Sequence, residues 1–215
     1  MAARIYPVPV KGLVRAALFA LVLAPVIGRV AAASDAALGR LEIGAQVPPF
    51  SARGADGQRH SLSDYAGSLV VLEWTSPVCP FTATKYKSGA MQTLQRYAAS
   101  QHIVWLSIDT AAPDRAGYLT AAAARARIAQ TRATLSAFLF DVDASIARRY
   151  GARTTPSFFI VDRNGRLAYQ GAMDDDVFGE RGDAHNYIKA ALDDLVAGRP
   201  VKDPQTQPQG CAIEY

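Results

Sequence analysis

The sequence predicts an α/β fold in which a central mixed β-sheet carries helices on both faces and is entered through an N-terminal β-hairpin. Three observations predict it. Two continuous apolar runs, SLVVLEW (68–74) and HIVWLSID (102–109), read as strands buried on both faces. Helical patterns follow each run, so the strands are joined by crossovers and lie parallel. The chain then closes with SFFIVDRNGRLAYQG (157–171) and one more amphipathic segment, an antiparallel hairpin and a helix, which makes the sheet mixed.

Taken in order, residues 43–67 alternate apolar and turn residues around Gly54-Ala55-Asp56-Gly57, a hairpin turn. The first buried strand follows. Thr82 to Ala99 sets Met91, Leu94 and Tyr97 on one stripe and is expected as a helix, before the second buried strand. The Ala- and Arg-rich piece from Ala111 to Arg132 holds a helix within a crossover. SAFLFD (136–141) is a short strand, and DASIARRYG (143–151) a short helix with Asp143 as cap and Gly151 as stop. Arg163-Asn164-Gly165 turns the closing hairpin, a last helix runs from Asp183 to Ala197, and the acidic stretch Asp174-Asp175-Asp176 between them is expected as a solvated loop. The chain divides into a leader (1–33), a linker (34–42), one domain (43–200), and a Pro- and Gln-rich flexible tail (201–215) carrying Cys211.

The leader carries Arg4, Lys11, Arg15 and Arg29, no acidic residue, and an apolar run broken by Pro25 before a small-residue stretch. It reads as a signal peptide cut between Ala31 and Ser34, which implies a periplasmic or secreted protein. The run is shorter than the ~20 apolar residues of a bilayer span, so no stable membrane span is expected in the mature chain. Four of the 23 basic residues leave with the leader, so the mature chain holds 19 basic residues against 19 acidic ones. With no basic cluster among aromatics, nucleic acid is excluded as a partner.

The chemistry concentrates at two places. WTSPVCPFT (74–82) puts Cys79 where a strand gives way to a helix, so free N–H groups and the positive end of the helix dipole favour its thiolate. Thr154-Thr155-Pro156 is an X-Pro step where a cis bond would hold backbone beside that sulfur, ready to pair with an extended chain. Trp74 is either a wall over the site or a core aromatic. Thr82 either donates its hydroxyl to the thiolate or caps the helix start. Cys79 and Cys211 are the two cysteines of the chain, and both a structural disulfide and a nucleophile with its resolving partner fit that count.

These segments, WTSPVCPFT and RYGARTTPSFFIVDRNGRLAYQG with the closing helix, resemble the thioredoxin-like superfamily, in its redoxin and peroxiredoxin-like branch (AhpC/TSA type), over nearly all of residues 43 to 200. The resemblance implies an active-site cysteine at Cys79 opening a helix against a cis-proline at Pro156, with Ser76, Pro80 and Thr155 around it. It implies an exported thiol-dependent oxidoreductase, or a peroxiredoxin-like antioxidant, acting on a protein thiol or disulfide or on a peroxide, with a thioredoxin-like electron donor and no cofactor. Three departures separate the chain from its relatives. Thr82 stands where the second thiol of C-x-x-C would be. Leu72 and Ser76 replace the Pro and Thr of the peroxidatic P-x-x-x-T-x-x-C, and Pro156 stands about where the peroxide-binding Arg would be. A non-catalytic binding module, its two cysteines locked in a bridge, is the alternative.

His60, His102 and His185 are scattered without ligand-like spacing, and three consecutive aspartates lack the spaced ligands of a calcium loop, so no metal is expected. No phosphate loop follows the first strand and no G-x-S-x-G occurs.

Overall fold

A computed structural model describes residues 41–214, and the predicted leader, with most of the linker, lies outside the described residues. A seven-stranded sheet runs in the order β2-β1-β5-β4-β3-β7-β8, where β1 is Ser51–Gly54, β2 Arg59–Ser61, β3 Val70–Thr75, β4 Val104–Asp109, β5 Ala137–Phe140, β7 Ser157–Val161 and β8 Leu167–Gly171. The short β6, Thr154–Thr155, pairs instead with β9, Cys211–Ala212. Strands β3, β4 and β5 are parallel, and β7 returns antiparallel against β3. This is the thioredoxin-like arrangement, with β1 and β2 as the hairpin extension.

Period-two alternation in β3 explains why all six of its residues are buried. Val70, Leu72 and Trp74 point into one core with Ile108, Ile146, Tyr150 and Phe159. Val71 points the other way, into a second core with Met91, Leu94, Trp105, Phe158, Ile188 and Leu192. Among the described residues no helix is long and apolar enough to cross a membrane.

Several elements differ from expectation for local reasons. The helix expected from Thr82 to Ala99 is two, α1 (Pro80–Lys87) and α2 (Ala90–Ser100), because Gly89 adopts a left-handed φ of 80° between them. The crossover helix α3 spans Ala121–Thr131, capped by Thr120, whose hydroxyl accepts from the Ala123 amide. Helix α4 (Ser145–Tyr150) ends at Gly151 as read, but its N-cap position is Ala144. Asp143 accepts the Ser145 amide at 3.0 Å, and the carboxylate of Asp141 shares the capping by accepting the Ile146 and Ala147 amides at 2.9 and 2.8 Å. The last helix, α5 (Tyr187–Val196), starts four residues late at Tyr187, and its N-cap Asn186 accepts from the Lys189 amide.

The acidic stretch is no solvated loop. Asp174 pairs with Lys85 of α1 at 2.7 Å, with both side chains nearly enclosed, and Asp176 is buried and accepts the Arg181 amide.

Candidate functional site

Strand β3 ends at Thr75, and Ser76-Pro77-Val78 turns the chain so that the Cys79 amide donates back to the Ser76 carbonyl at 3.4 Å. Cys79 is the N-cap of α1, in extended conformation, and Pro80 takes the first helical position, where a missing N–H costs nothing. The amides of Phe81 and Thr82 are the next two donors of that first turn, which holds no acidic residue.

Opposite this helix start lies the peptide Thr155-Pro156, which is cis. The Thr155 carbonyl oxygen stands 3.0 Å from Cys79 Sγ. In the structure that sulfur is bonded to Cys211, across a Cα–Cα distance of 5.8 Å and 132 residues of sequence. Reduced, Cys79 would meet two opposed influences: the helix amides favour its thiolate, whereas a carbonyl placed to accept from S–H favours the thiol. Cys79 is 1% exposed, because the tail covers it.

The tail is seated rather than loose. The Thr206 amide donates to the Gln170 carbonyl at 3.1 Å, the Gln170 amide to the Pro204 carbonyl at 3.0 Å, and the Thr206 hydroxyl accepts the Ala172 amide at 2.9 Å. Cys211 then pairs with Thr155 and Ala212 with Thr154, and the Ile213 amide donates to the Arg153 carbonyl at 2.8 Å.

The expected site residues are thus distributed as follows. Cys79, Ser76, Pro80, Thr82, Thr155, Pro156 and Cys211 come together at the start of α1. Thr82 is fully buried, and its hydroxyl has no hydrogen-bond partner. Trp74 lies below them, fully enclosed between Tyr150 and Phe159, its indole N–H donating to Thr110 at 3.2 Å. Its place is in the core under the site, facing away from solvent.

Three groups escaped the sequence reading. Glu73, fully buried on β3, accepts from Trp105 Nε1 at 2.8 Å, Ser107 at 2.7 Å and Tyr86 at 3.2 Å, and burial still pushes its carboxyl pKa up. A lone Glu inside the apolar run SLVVLEW was its signal. Lys85 and Asp174 are the second and third; the ion pair stands beside a cavity of about 280 Å³ lined by Phe81, Pro156, Met173 and Tyr187. A second cavity of about 350 Å³ lies under the tail, where the hydroxyls of Thr154 and Ser157 have no partner. Val78 and Phe178 are apolar and 61% and 65% exposed, and the Phe178 ring meets that of Phe81 at 6.0 Å, tilted by 38°. His60 is held by Tyr65 and Asp56, away from either sulfur. Among the described residues no group of three or more His, Cys, Asp or Glu side chains converges.

Residues 43–170 match the family model described as AhpC/TSA. The fold is similar to an uncharacterized conserved protein of Geobacillus kaustophilus, 25% identical with a TM-score of 0.73, over 82% of this chain and 94% of that one. It is equally similar to a hypothetical protein of Sinorhizobium meliloti, 25% identical with a TM-score of 0.74, over 82% of this chain and 96% of that one. A looser likeness, with a TM-score of 0.44 at 22% identity over 55% of this chain and 79% of that one, is to a secreted disulfide oxidoreductase of Mycobacterium tuberculosis. No curated protein matches the sequence.

Proposed function

Because the chain belongs to the AhpC/TSA family, we propose that it is a thiol-disulfide oxidoreductase in which Cys79 exchanges with a protein substrate and Cys211 resolves. The observation that carries this reading is the bridge itself: the cysteine at the helix start is joined to the tail cysteine across the cis-proline edge. Reduced Cys79 attacks a substrate disulfide, a Cys79–substrate bond forms, and the displaced substrate sulfur leaves as a thiolate. Cys211 then attacks Cys79, closes the bridge and expels the second substrate thiolate, so two electrons pass to the substrate. A dithiol donor of thioredoxin type returns the pair to its reduced form.

Peroxide fits the site less well. Ser76 lies where a peroxidatic Thr would be, and the group beside the sulfur is the Thr155 carbonyl, an acceptor that cannot donate to a peroxide oxygen. In this reading Thr82, one turn into α1 with a buried hydroxyl that has no partner, would donate to the thiolate. The leader supports export, with the mature protein periplasmic or secreted.

The test is insulin reduction by dithiothreitol, beside stopped-flow consumption of hydrogen peroxide. Cys79-dependent reduction of insulin with little peroxide turnover is expected. Equal insulin reduction by the Cys79→Ser protein would overturn the reading. Burial of Cys79 favours a second reading, a binding module with a permanent bridge; in that case dithiothreitol at neutral pH leaves the bridge intact in the folded protein.

A further inference from the structure

The strand Thr154–Thr155 stands outside the main sheet, and among the described residues its ladder partner is the tail. The fit of that tail is specific at Gly210, Cys211 and Ile213. At Gly210, a Cβ would collide with the carbonyl oxygen of Thr155 and lie 2.6 Å from its carbonyl carbon and 3.2 Å from Pro156 N. These are backbone atoms of the site, which cannot swing aside as a side chain can. Glycine is therefore required there by close approach, immediately before the bridged cysteine. Ala212, after the cysteine, points to solvent and is unconstrained. Ile213, one further on, packs against the core that holds Trp74 and Tyr150. Gln209 and Gln207 are exposed, so the upstream side reads little beyond backbone.

We propose that Gly210-Cys211-Ala212-Ile213 is the chain's own copy of the segment its site takes from a partner: an extended polypeptide of pattern Gly-Cys-x-aliphatic, laid antiparallel on Thr154–Thr155 with its cysteine against Cys79. The proposal rests on the exchange reading above and names its substrate class. In the resting protein the tail occupies the edge. After reduction the tail leaves, and a partner strand carrying the pattern in a disulfide replaces it. The Cys79 thiolate then bonds to the partner's Gly-linked cysteine and releases the other partner cysteine as a thiolate, and Cys211 completes the exchange as already described. Val78, next to Cys79, and Phe178, against Phe81, offer exposed apolar side chains to the partner's body.

The experiment uses the reduced full-length Cys211→Ser protein and nonapeptides whose single cysteine is activated as its thionitrobenzoate disulfide. The parent peptide is Gln-Pro-Gln-Gly-Cys-Ala-Ile-Glu-Tyr, compared with one bearing Ala for Gly and one bearing Asp for Ile. Release of thionitrobenzoate is followed, and dithiobis(nitrobenzoate) alone serves as the small probe. The Ala peptide should react about ten- to a hundredfold more slowly than the parent, the equivalent of one overpacked contact, and the Asp peptide should also be slowed. Equal rates for all three peptides overturn the proposal while leaving the exchange reading intact. No reaction with any peptide or with the small probe overturns both. In the otherwise native chain, Gly210→Ala should lower the ratio of bridged to reduced protein in a glutathione buffer by at least about tenfold. An unchanged ratio there also counts against the proposal.

Discussion

Replacing Cys211 by Ser opens a loop of 132 residues. In the chain-entropy description, closing a loop of that length removes about 5 kcal/mol worth of freedom from the denatured chain. A domain of this size is stable by only ~5 to 15 kcal/mol, so the loss is large. Urea unfolding of the oxidised protein, of the same protein in reductant and of Cys211→Ser measures it. With a slope of about 2 to 3 kcal/mol per molar urea, the midpoint should fall by about 2 M in both bridgeless forms. The slope should also rise, because the unbridged denatured chain exposes more surface. The size of the fall carries information about the tail. If the native tail stays seated without its bridge, held by the Thr206, Cys211 and Ile213 contacts, the whole ~5 kcal/mol is lost. If reduction releases it, the native chain regains freedom too and the fall is smaller, which is the outcome exchange requires. Amide hydrogen exchange at Thr206 and Ile213 separates the two. Identical midpoints for oxidised and bridgeless protein would refute the reasoning, since the bridge would then constrain nothing.

Two further outcomes follow from buried charge. Asp109, at the end of β4, is pushed up to about 7 by burial, with Arg127 opposing. Between its unfolded value of 3.8 and that folded value the unfolded chain is the more ionised, so stability falls as pH rises across this window, by about 4 kcal/mol in all. Asp109→Asn should flatten urea midpoints between pH 4 and 7; a variant that loses as much stability over that range as the native chain contradicts the assignment. Lys85→Met leaves Asp174 enclosed without its cation and should cost about 3 to 5 kcal/mol in thermal unfolding. Adding Asp174→Leu should recover much of it, and a double variant no more stable than the single one would show that the pair is not the cause.

The architecture was legible because its signals are local. Mostly apolar runs announced β3 and β4, Arg163-Asn164-Gly165 announced the β7–β8 hairpin, and Gly151 announced the end of α4. Cys79 at a helix start and a proline after Thr155 could be paired through the resemblance they carry. Gly89 could have been read as the break between α1 and α2, since an exposed Ser-Gly step inside a helical stripe is a stop signal. That Asp141 joins Asp143 at the start of α4 could not have been read, because which carboxylates reach the free amides depends on how β5 delivers the chain.

What the sequence by itself determined is the order of strands and helices and the residue types at the site, for these depend on periodicity, turn chemistry and the placement of one sulfur. What only the tertiary structure decided is which distant groups meet. Loop closure over a hundred residues leaves no mark in local pattern, so the pairing of Cys211 with Thr155, the contact of Gly210 with that carbonyl, and the enclosure of Lys85 by Asp174 appear only once the sheet has set its edges.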